Sequence, residues 1–188
     1  MRHRRGANLG AAAGAQAHGP VDIGGIAMHT HWRVECRDRA GRLRWVDEFD
    51  NLVVNEGLND SLDKHFKGSG YTAAWYVGLT GSTPSFAADD TMASHSGWTE
   101  VTAYDETVRE TLTLGAVSGQ SVDNSANKAT FTIDTNDTTI GGAFIVSNST
   151  KGGSTGVLYG GGAFSAGDKQ LDDDDTLSVT VTLTASAS

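Results

Sequence analysis

The sequence predicts a mainly β fold, a β-sandwich or jelly-roll-like domain with one short helix and an extended N-terminal arm. Three observations predict it. The 188-residue chain carries 24 glycines and only 2 prolines, and abundant Gly with Thr, Ser and Val favours short strands joined by many turns. Apolar and polar residues alternate in several stretches. The clearest is the last, where Leu177, Val179, Val181 and Leu183 alternate with Ser178, Thr180, Thr182 and Thr184. A regular strand–helix–strand alternation is absent, which argues against Rossmann-like and TIM-barrel sheets.

Residues 1–27 show no periodicity. Their basic start and Ala-Gln-Ala triplet imitate a secretory signal, but the middle is Gly and Ala, without the Leu, Ile and Val of a hydrophobic region. They are read as a flexible, small-residue arm, and residues 28–188 as the β domain. At its start Trp32, Val34 and Cys36 share one strand face and His31, Arg33 and Glu35 the other. A turn at Asp38-Arg39-Ala40-Gly41 leads to a second strand bearing Leu43 and Trp45, a β-hairpin. The period then changes. Leu58, Leu62 and Phe66 stand at i, i+4 and i+8, an apolar helical stripe, with Asn55 as N-cap and Gly68 and Gly70 as stops.

The run 73–80, "AAWYVGLT", is almost continuously apolar and reads as a central core strand, buried on both faces and carrying Trp75, Val77 and Leu79. A long loop follows, with one helical turn capped by Asp89 or Asp90. Further strands are expected at 98–104, 106–115, 127–134, 139–148, 156–164 and 175–186. The glycines of "YGGGAF" mark a bulge or a close approach.

Charge is distributed unevenly. Residues 1–45 hold eight arginines and three acids, net +5; residues 46–188 hold six basic and twenty acidic residues, net −14. An acidic body disfavours nucleic acid as the main ligand, because phosphate backbones need Lys and Arg. The basic front, with Arg2, Arg4, Arg5, Arg33, Arg42 and Arg44, suits contact with nucleic acid or, equally, docking on an acidic partner or on a second copy of the chain. No apolar run approaches the roughly 18 residues that suggest a membrane span.

Candidate chemistry is sparse. The single cysteine, Cys36, rules out an intramolecular disulfide and a cysteine-only zinc site, and reads as an inert core residue. His29 and His31 share a strand face but find no matching second pair for zinc. The run Asp172, Asp173, Asp174 and Asp175 lacks EF-hand spacing. Its default reading is a solvated turn, with weak Ca²⁺ binding as the alternative. The "KGGSTG" and "YGGGAF" stretches open no helix, and Lys151 precedes its glycines, so no phosphate cofactor is expected. No Gly-x-Ser-x-Gly elbow is present, and the chain is read as a non-enzyme.

Four features together resemble a family of tailed-bacteriophage virion structural proteins. They are N-x-V-x-x-x-G-x-N from Asn51 to Asn59, W-Y-V-G-L-T from Trp75 to Thr80, A-A-D-D-T-M-A-S-H-x-G-W-T-E from Ala87 to Glu100, and Y-x-x-x-x-R from Tyr104 to Arg109. The resemblance covers roughly residues 28–185 and brings no catalytic residues with it. It implies a virion protein assembled in the host cytoplasm, where disulfides are not needed. The first expectation is a capsid decoration (cement) protein, a homo-oligomer with a trimer favoured. Its partners would be the major capsid protein and its own copies, with no membrane involved. The alternatives are a tail- or fibre-associated adaptor or receptor-binding protein and, from another class, a carbohydrate-active enzyme on a β scaffold.

Overall fold

The computed structural model describes residues 26–71 and 74–187. Residues 1–25, with Arg2, Arg4 and Arg5, lie outside the described residues. The elements in chain order are β1 (Ile26–Arg37), β2 (Leu43–Asp50), β3 (Leu52–Val53), α1 (Asn55–Phe66), β4 (Tyr76–Thr80), β5 (Glu100–Val101) and β6 (Glu110–Thr111). They continue with β7 (Ser121–Asp123), β8 (Ala129–Thr132), β9 (Thr138–Ile140), β10 (Gly142–Val146), β11 (Leu158–Ala163), β12 (Lys169–Leu171) and β13 (Thr176–Ala187). Every strand pair is antiparallel. One sheet runs β2-β1-β13-β7, with β8 also on β13. A second runs β3-β11-β10-β4-β5, with β6 also on β4. The short pair β12-β9 stands apart.

The β1–β2 hairpin forms as its turn chemistry dictates. Asp38 Oδ1 accepts the N–H groups of Ala40 and Arg42, both at 2.9 Å, and Gly41 takes a φ of 78° that a side chain would disfavour. β1 then pairs along its whole length with β13, from Ile26 opposite Ala187 to Arg37 opposite Thr176. First and last strands of the described domain are therefore neighbours at the centre of one sheet. Pairing begins at Ile26, two residues before the expected start of the domain.

Alternation places the core. Trp32, Val34 and Cys36 from β1 and Leu177, Val179 and Val181 from β13 meet Val77 and Leu79 from β4 and Ala143 and Ile145 from β10 in one buried cluster. The two sheets thus pack face to face, as in a sandwich. The opposite face of the second sheet is also buried. There Phe144, Val146 and Leu158 pack with Val54, Met92 and Trp98 in a separate cluster. This is why the "WYVGLT" strand reads as almost continuously apolar.

The segment 81–99 covers that second cluster. Trp98 stacks on Phe86 with centroids 5.0 Å apart and contacts Phe144 at 4.9 Å. The helical turn expected there does not form. The segment runs as turns, with a Thr91–Ser94 bridge. Buried Asp90 instead accepts Ala87 N at 3.0 Å and Trp98 Nε1 at 3.1 Å. The carboxylate expected to cap a helix therefore orients the indole. The glycine-rich β11 follows the close-approach expectation, since Phe86 lies directly over Gly161 and leaves no room for a side chain. A register shift opposite β11, between Ile145 and Val146, supplies the irregularity. The regions 98–104 and 106–115 contribute only the two-residue strands β5 and β6, where longer strands were expected.

An inverted helix as candidate interaction surface

The helix is where the structure departs furthest from the pattern of its sequence. Residues 55–66 are helical, but Asn55 is the first helical residue rather than the cap. Val54 occupies the N-cap position in extended conformation, with no side-chain cap. Backbone carbonyls from elsewhere in the fold hold the entry to the helix instead. Val54 N donates to Tyr159 O at 3.1 Å and Asn55 N to Ala88 O at 2.8 Å. The start of the helix is thus fixed by tertiary hydrogen bonds to the N–H groups of Val54 and Asn55, whereas a side-chain cap would meet those of Glu56 or Gly57.

The apolar stripe faces outward. Leu58 is 40% exposed, Leu62 56% and Phe66 71%. The half-buried or buried helix positions are Glu56, Gly57, Asp60, Ser61, Asp63 and Lys64, so the face turned to the sheet is small and polar. Two contacts impose this rotation. Glu56 Oε2 accepts Leu158 N from β11 at 2.8 Å. Gly57 sits so close to β11 that an added Cβ would lie 2.6 Å from Tyr159 O and 2.8 Å from Tyr159 Cα. With position 57 against the strand, 3.6-residue periodicity carries positions 58, 62 and 66 away from the core. The sequence signal that could have revealed this is the small pair Gly57 and Ser61 at i, i+4. Such a pair permits close helix approach by a face without bulky side chains.

The stripe is flanked by charge. Lys67 Nζ pairs with Asp63 at 2.7 Å beside it, while the Lys64–Asp60 pair, at 3.9 Å, lies on the face turned to the sheet. The Lys67 hydrogen bond, seconded by Ser69, lowers the Asp63 pKa below the usual carboxylate value. An apolar ridge with an ion pair at its edge has the composition of a protein–protein contact.

Of the arginines expected to form an interface, the three among the described residues are engaged within the chain. Arg33 pairs with Glu48 at 2.7 Å and Glu35 at 2.8 Å. Arg42 pairs with Asp38 at 2.7 Å, and Arg44 pairs with Asp175 and, at 3.5 Å, with Asp172. Their charges are matched within the chain by Glu35, Glu48, Asp38, Asp172 and Asp175. The Asp172–Asp175 run forms the turn before β13. Buried Asp175 accepts Asp172 N at 2.9 Å, Asp174 takes a positive φ of 65° and pairs with Arg39 at 2.9 Å, and Asp173 N donates to Asn136 Oδ1 at 3.0 Å. Arginines thus compete for the carboxylates that a cation would need.

His29 and His31 lie on the exposed face of β1, with His31 Nδ1 3.1 Å from Asp50 Oδ1. Among the described residues no three or more His, Cys, Asp or Glu side chains form a metal-binding group. No described helix is long and apolar enough to cross a membrane. No protein-family model matches the chain, and no curated protein matches it.

Proposed function

We propose that the chain is a structural protein of a bacteriophage virion, a decoration protein that binds the assembled head and stabilises it through contacts with the major capsid protein and with its own copies. One observation carries the assembly role: the Leu58–Leu62–Phe66 ridge stands in solvent on a helix whose inner face is polar. Exposed apolar ridges of this kind are stabilised when a partner removes them from water, at about 25 cal/mol per Å². The phage setting rests on the sequence resemblance between Asn51 and Arg109. A protein that binds only the assembled head stabilises it by mass action.

The test uses purified particles and two variants of the full chain, Leu62→Glu and Phe66→Ser. Both positions are more than half exposed, so the fold should tolerate them within about 0.5 kcal/mol. Decoration should fall sharply while the melting temperature holds. Undiminished occupancy would sink the helix as the contact surface. Copy number settles the location: a stoichiometry following the capsid lattice supports the head, and a few copies confined to the tail overturn it. Deletion of the arm should end after Gly25, since Ile26 and Ala27 pair with Ala187 and Ser186.

A further inference from the structure

A second apolar surface lies on the other flank of α1. It is a groove of about 620 Å³ between the helix and the end of the sandwich. Its walls include Met28 on β1, Leu183 on β13, Trp75 before β4, and Leu112, Leu114 and Val117 from the 112–117 segment. Trp75, Leu114 and Leu183 pack against the main core from this side, so the groove is an opening into the sandwich rather than a dent in a loop. Val117, at its rim, is 75% exposed. The volume is in the range of small-molecule sites, roughly 300–1,000 Å³.

We propose that this groove is the seat of the chain's own N-terminal segment, residues 1–25, held by Val21 and Ile23. Three observations select that occupant. The described chain begins at the lip. Ile26 pairs with Ala187 at the tip of the sheet, and two residues further on Met28 lines the groove, opposite Ala185, which lines it too. The segment before Ile26 is therefore delivered to the opening by its own covalent link, at an effective concentration on the order of millimolar.

The sequence just upstream fits the site. Gly24 and Gly25 allow the chain to reverse. Val21 and Ile23 fall on one side of an extended chain, with Asp22 on the other. The remainder is Gly- and Ala-rich, with few bulky side chains. Charge agrees in sign. Residues 1–25 hold three arginines and one aspartate, net +2, and residues 26–188 hold eleven basic and twenty-two acidic residues, net −11. The proposal concerns the isolated chain and stands whether or not the protein decorates a capsid.

The experiment places the photoreactive residue benzoylphenylalanine at position 23 of the full-length chain, at high dilution, and maps the crosslinks by mass spectrometry. Adducts on residues 112–122 and 183–185, in a product of monomer mass, are expected. Val117→Glu in the same chain should lower their yield roughly tenfold, the effect of replacing one buried valine-sized contact by a charge. At 75% exposure this variant should keep the melting temperature. Adducts scattered over other surfaces, no adducts, or a yield indifferent to Val117→Glu would overturn the proposal. Adducts found only at dimer mass would overturn delivery by the same chain and assign the groove to a neighbouring copy.

Discussion

Arg109 and Glu100 form a two-pronged ion pair in which the arginine side chain has no solvent exposure and the glutamate 6%. Arg109 Nε meets Oε1 at 2.8 Å and Nη2 meets Oε2 at 2.7 Å. The remaining guanidinium donors reach Asn148 O at 2.8 Å and Gly153 O at 2.6 Å, while Gly152 N donates to Glu100 Oε2 at 3.0 Å. The pair thus fastens the 148–153 turn to β5, and the arginine also lies over the Phe144 ring, 5.4 Å from its centroid.

Removing one partner leaves a buried charge uncompensated. Glu100→Ala should cost about 3–5 kcal/mol, and Arg109→Met a similar amount. The double variant should cost less than the sum, because the second change removes the charge that the first one stranded. Denaturant unfolding of all four proteins measures this. Strict additivity would show that the pair does not act as a unit.

Gly57 gives a prediction by sign. In an exposed helix interior, Gly→Ala stabilises by about 1 kcal/mol. Here the new Cβ would meet Tyr159 O at 2.6 Å, and overpacking of that kind costs about 1–3 kcal/mol. Gly57→Ala should therefore lower the melting temperature. A rise would mean that the helix does not press on β11 and that its orientation is not fixed there.

Cys36 is fully buried in the main core. Burial, with a smaller push from Asp175, raises its thiol pKa to about 12. The thiolate is scarce at neutral pH and out of reach of reagents. Alkylation of the native protein should proceed only as fast as the fold opens, and a denaturant pulse should label it quantitatively. Rapid labelling under native conditions would contradict a closed sandwich around β1.

Glu35 sets a pH dependence. Its hydrogen bonds from Arg33, at 2.8 and 3.2 Å, are the main cause of a lowered pKa. Burial opposes them, and Lys128 at 3.4 Å assists. A depressed carboxylate pKa contributes stability above its unfolded value, about 4.3. That contribution is lost as pH falls through the lower folded value. The melting-temperature gap between the natural chain and Glu35→Gln should be widest near neutrality and close in acid. A gap constant across that window would show that the Arg33 contact contributes nothing to the linkage.

How far the chain could be read from its sequence depends on which forces act locally. The β1–β2 hairpin was legible because Asp38 and Gly41 build their turn from nearest neighbours, and the faces of β1 and β13 because alternation has period two. The central strand bearing Val77 and Leu79 was legible from its apolar run, but Trp75, expected on it as well, stands before β4 and is only half-buried. The lengths of β5 and β6 were not, since strand length is decided by where a neighbouring strand ends. Asp90 carried the signature of a helix cap, but an indole N–H from Trp98, eight residues on, takes its carboxylate. The cations Arg33, Arg42 and Arg44 look free in a list of residues, and their partners Glu48, Asp38 and Asp175 are visible only after the sheet is laid out.

The sequence by itself determined that this chain is mainly β, that Trp32, Val34, Cys36, Val179 and Val181 face inward, and that a short helix carries the apolar stripe Leu58, Leu62 and Phe66. Those are consequences of periodicity, which is a local property. Only the tertiary structure decided which way the stripe points. A helix can bury either face, and the choice fell to two distant contacts, Glu56 with Leu158 N and Gly57 against the Tyr159 backbone. They hold the helix by its polar side and leave Leu58, Leu62 and Phe66 in solvent.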